Sequence, residues 1–349
     1  MSLEARCLLS RVEVLVPGPW WNSLTYLCDP ERAPAEGARV RIPLGKGRRV
    51  GFFLGASSRD PAPPKSPGAF KEIEIKEILE ILDDESVLGD DLWGLAGWIG
   101  KTFLCGMGEA LQLICPQPLL KGEPLSEIKG EGEGEVNIAP VPGSASEAAR
   151  DEGFQELSFF HPLDGERFAY YRELLSSAAG RVLVLFPETR SAASFFAELP
   201  SAVRAESLLW PSTGGKKLWD AWKKTASGAA RVVVGAPGAV FAPLDLFAGG
   251  TVVVDDESNP GYVFLRPPRI SARSLAGRRA LAAKARLVLG GRMPGAKTFL
   301  RLRSRPKQPS LLPPRDHFVF VDMKRSVKAE VRGVEGELPL TWALLERTR

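Results

Sequence analysis

The sequence is poor in the residues that build metal centres and disulfide frameworks, with 4 cysteines and 2 histidines among 349 residues. Cys7, Cys28, Cys105 and Cys115 are scattered with no CxxC pair, and only His161 and His317 could join them as soft ligands. This pattern argues against a zinc site or a disulfide scaffold and suits reduced thiols used as small core residues. No apolar run approaches the ~18 residues of a bilayer span. The opening segment, MSLEARCLLSRVEVLVPG, carries Glu4, Arg6, Arg11 and Glu13 and so lacks the apolar centre of a secretory signal. The expectations are a cytoplasmic protein, no membrane partner and no bound metal.

Acidic residues are missing from one long stretch. The chain has 46 Lys and Arg against 42 Asp and Glu, a net +4. Residues 261–310 hold thirteen Lys or Arg and no acid, so the rest of the chain sums to 4 − 13 = −9. Charge of one sign is costly on a compact surface unless a polyanion neutralises it. If that polyanion is DNA, Arg266, Arg269 and Arg273 are candidates for contact with its backbone, with Tyr262 and Phe264 as stacking partners for unpaired bases. The plain alternative is a solvated basic face.

What remains is ordinary for a packed protein: 44% hydrophobic and 25% charged residues, and a length that suits two domains. Residues 1–118 read as a β-rich unit. Strands are expected over 7–16, 23–28, 38–42 and 50–55, with a hairpin around Gly45-Lys46-Gly47. Residues 72–82 fit a strand or a short helix, and helices follow from 89 to 115. Lys46, Arg48 and Arg49 make that hairpin basic and suited to phosphate. Residues 119–153 are acidic, broken and poor in buriable side chains, hence a flexible linker. Over 154–310, β-branched runs such as VLVLF, VVVG and TVVVD alternate with helical lengths, the pattern of a parallel sheet buried on both faces. Residues 311–349 form a C-terminal extension.

A phosphate loop is the most telling absence. A nucleoside triphosphatase of this class needs GxxxxGK[ST] after its first strand, so that backbone N–H groups and a lysine can hold the phosphates. The stretch there is FHPLDGERFA, in which Asp164 and Glu166 bring negative charge and Pro162 removes a donor. Arg167 could stand in for the lysine but does not rebuild the cradle. Gly100-Lys101-Thr102 lies in an amphipathic helix. GRMPGAKT at 291–298 misses one glycine, at Ala296, and the prolines that follow argue against the helix it needs. Asp255, Asp256 and Glu257 end a strand in the pattern that orients Mg²⁺ and an attacking water, although DDESNPG is also good turn chemistry.

Several strings carry a resemblance. Leu24-Thr25-Tyr26, GARVRIPLG at 37–45, Val50-Gly51, residues 76–85, Phe103-Leu104-Cys105 and Gly108-Glu109-Ala110-Leu111 occur in one order in the first unit. VLVLFPE at 182–188, Val233-Val234-Gly235, Phe241-Ala242-Pro243, Pro268-Arg269 and Ala272-Arg273-Ser274-Leu275-Ala276 continue it. Over residues 5–345 the chain resembles the primosomal protein N′ (PriA) replication-restart helicase family, as a degenerate and truncated member. The resemblance implies a small β-rich DNA-binding domain followed by a RecA-like helicase lobe.

It also implies a pocket for the 3′ end of a nascent strand, formed by Leu24, Thr25, Gly45 and Lys76. Leu24 stands where an aromatic is usual, and Thr25 where an acid often sits. The family's phosphate loop falls on 162–169 and is lost. Its Asp-Glu-Glu-His box falls on 255–258, and a later helicase motif has become GGRMPG at 290–295. The winged-helix domain gives way to the acidic linker, and the second lobe with its zinc site is not in the sequence. The expected function is recognition of fork or 3′-end DNA, with primosome or single-strand-binding proteins as further partners and ATPase activity lost. Asp255, Asp256 and Glu257 are then vestigial and no cofactor is needed. The alternative is a fragment of an active ATP-dependent 3′-to-5′ helicase, using ATP and Mg²⁺, with its other lobe supplied elsewhere.

Overall fold

Val12 and Val14 alternate with charged residues in the first strand, and this period of two turns one face of it into a core. The computed structural model describes residues 9–57, 75–125, 153–247, 249–265 and 268–304. Strands β1 (Ser10–Leu15), β2 (Leu24–Cys28), β3 (Arg39–Leu44), β4 (Gly47–Ala56) and β5 (Glu80–Ile81) form an antiparallel sheet in the order β2-β1-β4-β3-β5. The segment leading into β5 joins both edges. Leu27 N–H donates to Lys76 O at 2.9 Å and Ile78 N–H to Leu27 O at 3.0 Å on one side. Leu79 N–H donates to Arg41 O at 2.8 Å and Leu82 N–H to Arg39 O at 2.9 Å on the other. The sheet closes on itself, which removes the exposed edge an open sheet would present. Of the two readings of residues 72–82, the strand holds for the part described, because its backbone groups are needed by two neighbours.

Three helices follow, α1 (Asp90–Thr102), α2 (Met107–Ile114) and α3 (Gln117–Lys121). Arg39 is fully buried beneath them, and a buried guanidinium must find acceptors for its five N–H groups. Its Nε and Nη2 donate to Asp83 at 2.6 and 2.9 Å, and Nη1 donates to Leu119 O at 3.0 Å and Glu123 O at 2.9 Å. Residues 119–125 are thus packed on the first unit and are no linker. The expected boundary at 119 is too early, and residues 126–152 lie outside the described part.

The second sheet is parallel and six-stranded. It comprises β6 (Gln155–Phe160), β7 (Val182–Leu185), β8 (Ser207–Leu209), β9 (Val232–Gly235), β10 (Thr251–Val254) and β11 (Arg286–Gly291), in the order β6-β11-β10-β7-β9-β8. Every residue of β7, β9 and β10 is buried, as the unbroken β-branched runs predict. Between the strands run α4 (Asp164–Ser177), α5 (Thr189–Ala197), α6 (Ser201–Ala205), α7 (Lys216–Ala226) and α8 (Ala272–Ala282), and α9 (Ala296–Ser304) follows β11. The fold is mixed α/β, a closed antiparallel sheet followed by a parallel-sheet lobe.

The two sheets are not separate beads. Leu92, Leu95, Ala96 and Ile99 of α1 share one apolar cluster with Leu275, Ala276 and Ala280 of α8. At that joint Arg279 and Asp91, 1% and 7% exposed, form a two-pronged ion pair. Arg279 also donates to the carbonyls of Val240 at 2.6 Å and Leu244 at 2.8 Å. Burying this pair is tolerable because every donor is met.

Candidate functional site

The closed sheet gathers the predicted 3′-end residues on three neighbouring segments. Leu24 and Thr25 open β2, Gly45 sits in the β3–β4 turn, and Lys76 lies beside β2 through the bond from Leu27. Leu24, Leu44 and Ile78 pack on one core cluster, and the Tyr26 hydroxyl donates to Pro43 O at 3.1 Å, which ties β2 to the strand entering the hairpin. Gly45 has φ 60°, a left-handed value that glycine takes without penalty. Lys46, Arg48 and Arg49 are exposed along that hairpin, and Lys76 is exposed as well.

Three residues here escaped the sequence reading. Glu13 faces Thr25 across the β1–β2 ladder, and its Oε1 accepts from Thr25 Oγ1 at 3.0 Å and from Ser57 Oγ at 2.6 Å. A hydroxyl has one proton. With that proton committed to Glu13, the Thr25 oxygen can only accept further hydrogen bonds. Trp20 and Trp21, on the loop just before Leu24, were also missed; both are exposed. Signals for them existed, an acid at β1 and paired tryptophans in a turn, but neither points to a site without the pairing of strands.

The acids at the end of β10 are already engaged. Arg167 Nε and Nη2 donate to the two oxygens of Asp255 at 2.8 and 3.3 Å, and Tyr171 adds a third bond at 2.9 Å. Both members of the ion pair are 3% exposed. Burial alone would lower the pKa of Arg167, but the Asp255 bond and charge outweigh it and hold the guanidinium protonated. Burial first, and Asp255 second, push the Tyr171 hydroxyl well above the ordinary phenol range, so it stays a donor. Asp256 accepts from Asn259 Nδ2 at 2.7 Å, as turn chemistry predicts. Glu257 is ion-paired with Arg273 and accepts from Gly295 N–H at 2.6 Å.

That last bond bears on the GRMPGAKT stretch. Contrary to expectation, a helix does follow it: α9 starts at Ala296, and Pro306 lies beyond its end. The strand, loop and helix of a phosphate site are therefore present, yet the loop's N–H at Gly295 is spent on the Glu257 carboxylate. Thr298 is buried, its hydroxyl accepting from Arg273 Nη2 at 2.8 Å. On the first candidate loop, burial opposes ionisation of Asp164, but Arg167 and Arg292 together hold its carboxyl below the usual range.

Four of the thirteen cations of the basic stretch are ion-paired within the described residues. Arg273 pairs with Glu257, Arg279 with Asp91, Arg292 with Asp164 and Arg301 with Glu156, while Arg278 lies over the Trp98 ring at 5.9 Å. Arg273 is thus held by Glu257 and Thr298, with its side chain 26% exposed. Arg269 is exposed, and Arg266 lies outside the described residues. Tyr262 presents no face to a base, whereas Phe264 is partly exposed with one face covered. Tyr262 is 1% exposed, its hydroxyl donating to Asp255 O at 2.6 Å with Leu185 O at 2.9 Å. Phe264 stacks on Phe241 with centroids 5.4 Å apart. A cavity of about 380 Å³ does open at the carboxyl ends of β7, β8 and β9, lined by Thr189, Trp210, Ser212 and Gly238, beside the acids and not over them. No helix among the described residues is long and apolar enough to cross a membrane.

Comparison with known proteins falls on the same two units. The family model of the PriA 3′ DNA-binding domain (3′BD) matches residues 13–116, the closed sheet with α1 and α2. The replication restart protein PriA of Treponema pallidum (strain Nichols) is 25% identical over 82% of this chain. That of Bacillus subtilis (strain 168) is 34% identical over 26% of it. The matches cover 44% and 11% of those proteins, so the chain spans less than half the length of either relative. The crystal structure of the Pyrococcus furiosus Hef helicase domain aligns at 20% identity over 44% of this chain and 33% of that one, with a TM-score of 0.27, too slight to weigh. The first sheet with its helices thus matches the PriA 3′ DNA-binding domain, and the chain is similar along most of its length to a replication restart protein PriA.

Proposed function

We propose that this chain binds DNA at free 3′ ends, on forked or 3′-tailed structures, as a replication-restart protein that does not turn over ATP. The observation that carries the reading is the coincidence of the 3′ DNA-binding family model with the closed sheet on which Leu24, Thr25, Gly45 and Lys76 lie. On it the terminal 3′-OH donates to Thr25, whose own proton is held by Glu13. Lys76 and the basic hairpin of Lys46, Arg48 and Arg49 take the flanking phosphates. Further primosome or single-strand-binding proteins would meet the chain at the same fork.

The absence of turnover rests on the fit of the nucleotide site. ATP with Mg²⁺ needs a free carboxylate at the strand end and a cradle of N–H groups with a cation. Here Asp255 is engaged by Arg167 and Tyr171, and the Gly295 N–H by Glu257. The residues present do not fit the group.

The test is a fluorescence-anisotropy titration of 3′-tailed DNA ending in 3′-OH or in 3′-phosphate. Tighter binding of the hydroxyl end supports the reading. Equal affinity for both ends, or no binding, would reject it.

A further inference from the structure

Between β1 and β2 the chain runs Pro17-Gly18-Pro19-Trp20-Trp21-Asn22. Folding hides most of the large apolar side chains, yet Trp21 stays 65% exposed and Trp20 38%. Their loop is firmly seated. Gly18 N–H donates to Gly108 O at 3.1 Å. A Cβ at Gly106 would lie 2.1 Å from Trp20 O, and one at Gly108 would lie 2.2 Å from Val16 O. Only glycine allows this approach, so the α1–α2 turn serves as a fixed bed for the loop. Leu104, two residues before Gly106, is also exposed and holds a left-handed φ of 51°.

An exposed aromatic pair on a rigid loop needs an occupant. The two indoles expose on the order of 250 Å² between them. A stable protein interface needs ~800 Å² per side, whereas stacked bases need no more than the rings themselves. Single-stranded nucleic acid is bound by such aromatic faces next to a cationic groove, and the basic hairpin stands on the same closed sheet. Trp21 lies three residues from Leu24, at most ~10 Å of extended chain. Leu24 has no π face to offer a terminal base.

We propose that Trp20 and Trp21 form a stacking platform for the unpaired bases leading into the 3′ terminus. This rests on the reading that the terminus docks at Leu24 and Thr25. The platform recognises single-stranded character, while Thr25 and Glu13 recognise the hydroxyl end.

The test uses the full chain and 3′-tailed DNA with 2-aminopurine next to the terminal nucleotide. Binding should change the probe's fluorescence. Trp21→Ala should remove that change and weaken binding about 5- to 100-fold, the range of one lost base stack, with the preference for 3′-OH over 3′-phosphate retained. Trp21→Phe should recover most of both, which separates stacking from damage to the loop. Wild-type affinity and probe response in Trp21→Ala would overturn the platform while leaving the end pocket standing. A Trp21-dependent response in a protein with no end preference would support the platform and reject the pocket. If Trp20→Ala/Trp21→Ala changes only the oligomeric state in sedimentation and leaves DNA affinity unchanged, the surface is a contact between copies and the proposal fails.

Discussion

Arg167 grips both oxygens of Asp255 in the interior of the parallel-sheet lobe, bridging 88 positions of sequence. The arginine lies in the stretch where a phosphate loop would carry its lysine, and the aspartate lies where a metal-orienting acid would stand. On the proposed reading, each supplies the counter-charge that a nucleotide and its cation would otherwise bring.

Breaking that pair should be costly. Arg167→Met leaves Asp255 buried without a cation, and urea unfolding should show a loss of roughly 3–5 kcal/mol. Adding Asp255→Leu with Tyr171→Phe should recover most of the loss, because the neutral apolar set carries no charge to desolvate and leaves no stranded hydroxyl. Equal stability of the single variant and the wild type would mean that the pair is not the anchor of this site.

The joint between the sheets makes a second prediction. Asp91→Ala strands the Arg279 guanidinium in a shared core and should cost on the order of 3–5 kcal/mol. Because α1 and α8 share that core, the wild type should unfold in one transition, with coincident curves from tryptophan fluorescence and far-UV circular dichroism. Two separated transitions would contradict the shared core.

At the 3′ end, Thr25→Val removes one acceptor, and Glu13→Gln offers Thr25 an amide donor that can turn its hydroxyl around. Each should lower the preference for a 3′-OH end by about 2- to 10-fold, the worth of a single hydrogen bond. Lys76→Ala should weaken end binding as well. Anisotropy titrations against hydroxyl and phosphate ends would measure this. An undiminished preference in all three variants would place the pocket elsewhere.

Salt dependence should be modest. With Arg273, Arg279, Arg292 and Arg301 paired internally, the hairpin cations remain the main phosphate ligands. Three to four contacts give a log–log salt slope of roughly −3. Lys46→Ala/Arg48→Ala/Arg49→Ala should flatten it to roughly −1, the share of Lys76, whereas an unchanged slope would return the phosphate contacts to the basic stretch.

The parallel sheet was legible because its strands are buried on both faces, so Val182–Leu185, Val232–Gly235 and Thr251–Val254 appear as unbroken β-branched runs. Strand Ser207–Leu209 is only three residues long at a sheet edge, too short to show a period. Helix Ala296–Ser304 was hidden by the prolines after it, which end a helix as readily as they prevent one. The basic stretch was visible as charge, but its partners were not, since Asp91 lies 188 positions from Arg279 and Glu156 lies 145 from Arg301. Tyr262 shows the same limit: an aromatic in a turn has one spelling whether it faces solvent or the core.

The most direct measurement is calorimetry of the full chain with Mg²⁺ and a non-hydrolysable ATP analogue. A site filled by Arg167, Tyr171 and Arg273 should give no heat of binding. A saturable isotherm of ordinary affinity, reduced by Asp255→Asn, would contradict the account and make this chain one part of a working ATP-dependent motor.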